Sequence, residues 1–273
     1  TGTTDTFTVV LNAQPASDVV FTITSSDTGE ATVTGTLTFT SSNWNSAQTV
    51  TVTGVDDNLV DGTITSTITL AVNDGSSDNN FDPVADQTVS VTTTDNDVAG
   101  FTIVESGGST SVSESGSTDT FTVVLNAQPD SNVVLSVTSG DTGEATVSTG
   151  TLTFTSGNWN TAQTVTVTGV DDNLVDGTIT SAITVSVVDA VTDDNFDAVA
   201  NQTVSATTTD NDTAGFTIAE TSGSTSVAES GSTDTFTVVL NAQPDSDVVF
   251  IIASNDTGEA TVTSTLTFTS ANW

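Results

Sequence analysis

The sequence predicts an all-β chain of tandem two-sheet sandwiches, and three observations carry that expectation. Apolar residues alternate with Thr and Ser in short runs, the period-two pattern of half-buried strands. The same segments return at a fixed, domain-sized interval. No stretch has the periodicity of an amphipathic helix. Thr and Val dominate the runs, and both are β-branched residues that suit a pleated surface.

The repeats define the domain organisation. TDTFTVVLNAQP occurs at 4–15, 118–129 and 233–244, and LTFTSxNW ends at Trp44, Trp159 and Trp273. AQTVTVTGVDDNLVDGTITS occurs at 47–66 and 162–181, and TTTDND at 92–97 and 207–212. Spacings of 114 or 115 residues match one sandwich per period rather than one coil of a solenoid. Residues 1–97 then form a first repeat without its opening strand, 98–212 a complete second repeat, and 213–273 the N-terminal half of a third. Incomplete copies expose sheet edges. Either the chain continues beyond this window, or identical subunits complete one another by strand exchange, which would build a filament.

Within 98–212 the alternation predicts seven strands: 100–112, 118–126, 132–138, 145–155 with a break near Gly150, 162–169, 179–188 and 202–209. Phe121, Val123 and Leu125 point one way from the second strand, and Thr120, Thr122 and Val124 the other. Val165, Val167, Ile183, Val185 and Val187 face the same core. Seven short strands in one such period are the pattern of a seven-stranded antiparallel, immunoglobulin-like sandwich.

The 273 residues include 35 Asp plus Glu and no Lys, Arg, His, Cys, Met or Tyr, where an average domain of this length carries roughly 30 basic residues. Nucleic acid is excluded as a natural partner, because phosphate binding needs Lys and Arg. No apolar run is long enough for membrane insertion. Disulfides and zinc thiolate sites are ruled out by the lack of cysteine. Without His, Lys, Cys or Tyr the usual general bases and activated nucleophiles are missing, so catalysis is not expected.

Strand counting gathers the acids. If successive strands alternate in direction, one pole receives Glu114 after the first strand, Asp141 and Glu144 between the third and fourth, Asp171, Asp172 and Asp176 between the fifth and sixth, and Asp210 and Asp212 after the last. Counterparts in the first copy are Glu30, Asp56, Asp57, Asp61, Asp95 and Asp97, and Glu229 matches Glu114 in the third. Unpaired carboxylates crowded together repel strongly. Several carboxylates on flexible loops suit Ca²⁺, which takes six to eight oxygens, better than Mg²⁺, which keeps its waters. The plainer alternative is a set of solubilising loop acids.

A second candidate lies in DNNFD (78–82) and DDNFD (193–197), between the sixth and seventh strands. A solvated loop explains it equally well. In a tandem array, however, this loop would approach the acidic pole of the preceding repeat and could complete a site there. The single Trp per repeat reads as a loop anchor, with sugar stacking as the alternative. Thr on outer strand faces explains the TVTVT and TTT runs. Asn201, Asn211 and Asn255 stand in N-x-T sequons.

VSESG at 112–116, GTLTF at 150–154, DDNLVDG at 171–177 and DND at 210–212 together resemble the Calx-β family. That family comprises calcium-binding sandwiches of sodium–calcium exchanger regulatory regions and of many bacterial surface proteins, and the likeness covers the whole repeat. It implies calcium held by Glu114, Asp171, Asp172, Asp176, Asp210 and Asp212. Two features depart from the family: Ile179 lies where a second glutamate is common, and SGDTGEATV lacks the usual DY pair. The resulting expectation is a secreted or cell-surface structural and adhesive module, rigidified by Ca²⁺ at the domain poles. The alternative is an adhesin domain that recognises a glycan or a partner protein.

Overall fold

The computed structural model describes residues 2–273. The first repeat contributes β1 (Thr4–Val9), β2 (Val19–Ser25), β3 (Ala31–Val33), β4 (Thr36–Phe39), β5 (Gln48–Gly54), β6 (Ile64–Val72) and β7 (Gln87–Thr93). The second has β8 (Phe101–Glu105), β9 (Thr110–Ser113), β10 (Thr118–Leu125), β11 (Val133–Ser139), β12 (Ala145–Val147), β13 (Thr151–Phe154), β14 (Gln163–Gly169), β15 (Ile179–Val187) and β16 (Gln202–Thr209). The third has β17 (Phe216–Glu220), β18 (Phe236–Leu240), β19 (Val248–Ile251) and β20 (Thr265–Phe268). Short 3-10 turns are the only helical elements among the described residues, and no helix there is long and apolar enough to cross a membrane.

The second repeat is a two-sheet sandwich, with strand order β12-β14-β10-β8 in one sheet and β13-β11-β15-β16-β9 in the other. Nine strand segments replace the seven expected, because the first and fourth strands each cross between the sheets. β8 pairs antiparallel with β10, whereas β9 pairs parallel with β16. The crossing turn between β8 and β9 holds Gly107 at φ 67° and Gly108 at φ 85°, a left-handed path that only glycine follows at little cost. In the same way β12 pairs with β14 and β13 with β11, on either side of the break near Gly150. A fully antiparallel sandwich is therefore modified at one pairing, β9 with β16. That pairing positions the acidic pole.

The first repeat has the same two sheets, β1-β5-β3 and β4-β2-β6-β7, without counterparts of β8 and β9. In the third repeat β17 pairs with β18 and β19 with β20.

The alternation read from sequence places the core correctly. Phe121, Val123 and Leu125 are buried on β10, in one core with Val165 and Val167 of the same sheet and Ile183 and Val185 of the other, while Val187 is only partly covered. Phe196, from the loop between β15 and β16, closes the core and is fully buried. Outward positions pair as threonines, with Thr118 opposite Thr168, Thr120 opposite Thr166 and Thr122 opposite Thr164. This is the arrangement expected of β-branched residues on a solvated sheet face. Trp159 packs against the core edge, and its carbonyl accepts the Leu125 N–H at 3.1 Å; Trp44 does the same for Leu11.

Truncating a large core side chain leaves a cavity that a sandwich fills poorly. Phe121→Ala is expected to destabilise the second repeat by about 3–5 kcal/mol. Val104→Ala, on the exposed side of β8, should change stability by less than about 0.5 kcal/mol. Urea unfolding of both variants checks the contrast.

Candidate metal centre

Five strand ends deliver the acids of the second repeat to one place. Because β9 and β16 run parallel with Ser113 opposite Thr209, the residues that follow them, Glu114 and Asp210, emerge side by side. The Glu114 N–H donates to the Thr209 carbonyl at 3.1 Å. Ala145 pairs with Gly169, and the Val170 N–H donates to the Glu144 carbonyl at 2.8 Å, so Glu144 meets the start of the DDNLVDG loop. Ile179 pairs with Thr208, which brings the end of that loop, with Asp176, against 210–212.

Within the loops, carboxylates that accept backbone N–H groups set the shape. Asp172 accepts from the Leu174 N–H at 2.7 Å, and Asp141 from the Gly143 N–H at 3.0 Å. Such Asx turns are local contacts that Asp makes readily. Asp210 uses both oxygens, taking the Asp212 N–H at 2.6 Å and the Gly177 N–H at 2.9 Å, and thereby ties the loop to the end of β16. Gly177 has φ 80°, a conformation that favours glycine here. Asp171 is exposed and accepts from Asn211 Nδ2 at 2.8 Å.

Two carboxylate groups result, Glu114 with Glu144 and Asp176, and Glu114 with Asp210 and Asp212; each has ligand oxygens within 4.8 Å of one another. Glu114 is 1% exposed and Glu144 7%, values rare for acids that lack a partner. Glu114 Oε2 accepts the Asn211 N–H at 3.1 Å, but Glu114 Oε1, Glu144 Oε2 and Asp212 Oδ2 are buried with no hydrogen-bond partner. A buried acceptor without a donor carries its full desolvation cost. These acidic clusters have the oxygens and the vacant lone pairs to hold a metal ion.

The first repeat assembles a related group from Glu30, Asp57 and Asp61. Asp95 accepts from Gly62 N–H at 3.0 Å and from Asp97 N–H at 2.7 Å, repeating the Asp210 tie. Asp56 is exposed, Asp97 is half-buried, and Asp141 lies outside both carboxylate groups of the second repeat. Glu229 is exposed in a turn and joins no such cluster among the described residues. Asn211 was read from the sequence only as a sequon, although its place between two aspartates in DND marks it; its backbone N–H serves Glu114 and its side-chain amide Asp171.

The DDNFD loop is built differently. Asp193 is buried and accepts the Ser131 N–H at 2.8 Å and the Asn195 N–H at 3.0 Å, capping the 3-10 turn Asp194–Phe196. Asp78 does the equivalent with Ala16 at 2.6 Å and Asn80 at 3.0 Å. Their lone pairs are spent on the backbone, and neither belongs to a metal-ready carboxylate group.

Neither a protein-family model nor a curated protein matches the sequence. Among solved structures, domains 4 and 5 of the S-layer protein SbsC are similar over 69% of this chain and 70% of their own length, at 20% identity and a TM-score of 0.34. The calcium binding domain pair CBD12 of CALX1.1 is similar over 67% of this chain and 73% of its own, at 12% identity and a TM-score of 0.27. CBD12 of CALX1.2 is similar over 75% and 93%, at 11% identity and a TM-score of 0.28.

Burial raises the carboxyl pKa of Glu114, Glu144, Asp176 and Asp212, and neighbouring carboxylates raise it further. Burial and then like charges do the same for Glu30, Asp61 and Asp97. Asp210 moves the other way, held down by the Gly177 and Asp212 N–H groups. A carboxyl whose folded pKa exceeds its unfolded value binds its proton more tightly when folded. Its contribution to stability is therefore present below the unfolded pKa and lost as pH rises through the folded one. The lowered Asp210 loses its contribution only below the ordinary range, outside this window. In chelator, the melting temperature is expected to be higher at about pH 5, near the ordinary Glu value, than at neutral pH. An equal or lower value at pH 5 would contradict the crowding.

Proposed function

We propose that the chain is a non-catalytic, extracellular structural module whose acidic poles bind Ca²⁺, and that the bound ion stiffens the tandem array. The observation that carries this reading is that three of the four buried, donorless carboxylate oxygens among the described residues, Glu114 Oε1, Glu144 Oε2 and Asp212 Oδ2, share one pole of the second repeat, the fourth being Asp82 Oδ1 in the DNNFD loop. These three sit among other carboxylates in a chain that has no Lys, Arg or His to neutralise them. All-oxygen donors, several carboxylates and loop flexibility favour Ca²⁺ over Mg²⁺, and soft-metal ligands are absent. Glu114, Glu144, Asp176, Asp210 and Asp212 would hold the ion in the second repeat, and Glu30, Asp57 and Asp61 in the first.

Stiffening follows from where the ligands stand. Asp57 and Asp61 bracket Asn58, Leu59 and Val60, and this short segment touches the next repeat. Leu59 forms a parallel bridge with Gln128, and Leu174 repeats it with Gln243 at the following junction. Fixing the two ends of the loop on an ion restricts the segment between them. An ion that binds only the folded state also adds stability by mass action, about 2.7 kcal/mol at a hundredfold excess over Kd. The surface location belongs to the same proposal.

Glu144→Gln gives a signature that a merely solubilising acid would not. Its amide offers a donor to the neighbouring carboxylates and removes one charge, so the variant should melt higher than wild type in chelator. It should also lose most of the rise that calcium produces. Asp141→Asn, outside the carboxylate groups, should leave the calcium increment nearly unchanged. Thermal melts with Ca²⁺, with Mg²⁺ and with chelator decide this; no calcium-dependent rise in wild type would sink the proposal.

A further inference from the structure

The junction between the first two repeats contains an asparagine that takes different partners in the two copies. In the second repeat the Asn195 side chain reaches out of its loop, and Nδ2 donates to the Val60 carbonyl of the preceding repeat at 2.7 Å. Its counterpart in the first repeat is Asn80. No preceding repeat is among the described residues there, and Asn80 Nδ2 folds back on Asp78 Oδ1 at 2.9 Å. Both loops otherwise match: Asp193 and Asp78 each cap the main chain two residues on, at 3.0 Å. Both loops keep this cap, and the side-chain amide takes a different partner in each.

The surroundings of Asn195 form a socket. The Gln128 N–H donates to the Asn58 carbonyl at 2.7 Å, and the Val60 N–H donates to the Gln128 carbonyl at 3.1 Å, a short parallel ladder. Val60 is half-buried against the core of the second repeat. At the next junction the ladder recurs, with the Gln243 N–H donating to the Asn173 carbonyl at 2.7 Å. No counterpart of Asn195 is among the described residues there, and Val175 remains 43% exposed.

We infer that Asn195 is a docking latch: the pole of each repeat opposite its carboxylates is a socket for the Asn-Leu-Val segment of the preceding repeat, closed by this asparagine swinging from its own loop onto the Val60-type carbonyl. The occupant is a tripeptide of one asparagine and two apolar residues with outward carbonyls, found within VDDNLVDG at 55–62 and 170–177. Recognition is mostly main-chain, so any repeat with this loop fits any repeat with the Ala-Gln-Pro turn, and the junctions acquire one register. A primary amide suits the latch, since its N–H can satisfy either acceptor and neither position leaves a buried donor unpaired. The inference rests on the tandem-array part of the proposed function and not on the ion.

The chain has no cysteine, so a spin-label pair can be introduced cleanly at exposed strand positions, Thr67→Cys in the first repeat and Thr153→Cys in the second. Pulsed electron spin resonance on the full chain in saturating calcium should give one narrow distance. Asn195→Ala should broaden it, Asn195→Ala with Val60→Ser should abolish the single distance, and Asn80→Ala should leave it unchanged. Melting curves identify any variant that unfolds, and the exposed Asn195→Ala alone then carries the test. A narrow distance retained in Asn195→Ala, or equal broadening by Asn80→Ala, overturns the latch. Repeating wild type in chelator separates the two ideas, because unchanged width there counts against calcium stiffening and leaves the latch standing.

Discussion

Thirty-five carboxylates without one basic side chain impose a constraint on every other feature of the molecule. Only backbone N–H groups, neutral side-chain donors, water and cations can meet the negative charge, and each carboxylate must find one of these. The outcome is a sorting of acids by their donors. Asp210, Asp78 and Asp193 take two or more backbone N–H groups each and act as struts that shape loops. Glu114, Glu144 and Asp212 keep buried oxygens that no donor reaches. The first set stabilises the fold by itself. The second opposes it, and burial raises the carboxyl pKa of Glu114, Glu144 and Asp212 whereas backbone N–H groups lower that of Asp210 and Asp78.

The sandwich core was legible in the sequence because burial has the strand's own period. Phe121, Val123 and Leu125 announce their face by alternation alone. The crossing of strands between sheets was less visible. A run such as 100–112 keeps its alternation through the Gly107–Gly108 turn, so nothing local says that its halves pair with different partners. The convergence of Glu114, Glu144, Asp176, Asp210 and Asp212 follows from strand direction, which repeats and turn signals supply. Donor geometry does not follow from it. Asp141 and Glu144 look alike in SGDTGEATV, yet one closes an exposed Asx turn and the other is buried, because only Glu144 directly precedes a strand that pairs with Gly169. The DDNFD loop shows the same limit: its approach to the preceding repeat was foreseeable from the tandem order, but the group that reaches across is an amide donor, not a carboxylate.

Charge also bears on how repeats follow one another. Two acidic poles set face to face would confront donorless carboxylates with more of the same, and the chain has no base to place between them. Head-to-tail order presents the acidic loop with the opposite pole, where Asp193 is turned inward onto Ser131 and the Gln128 N–H and the Asn195 amide are offered outward beside the exposed Asp130, Asp194 and Asp197. Those donors meet carbonyls of Asn58 and Val60, the segment between two carboxylates, without touching the carboxylates themselves. The carboxylates of the loop take no part in this contact, and its backbone holds the neighbour. In this seven-residue motif side chains and main chain face different partners, and a direction for the array follows from that division.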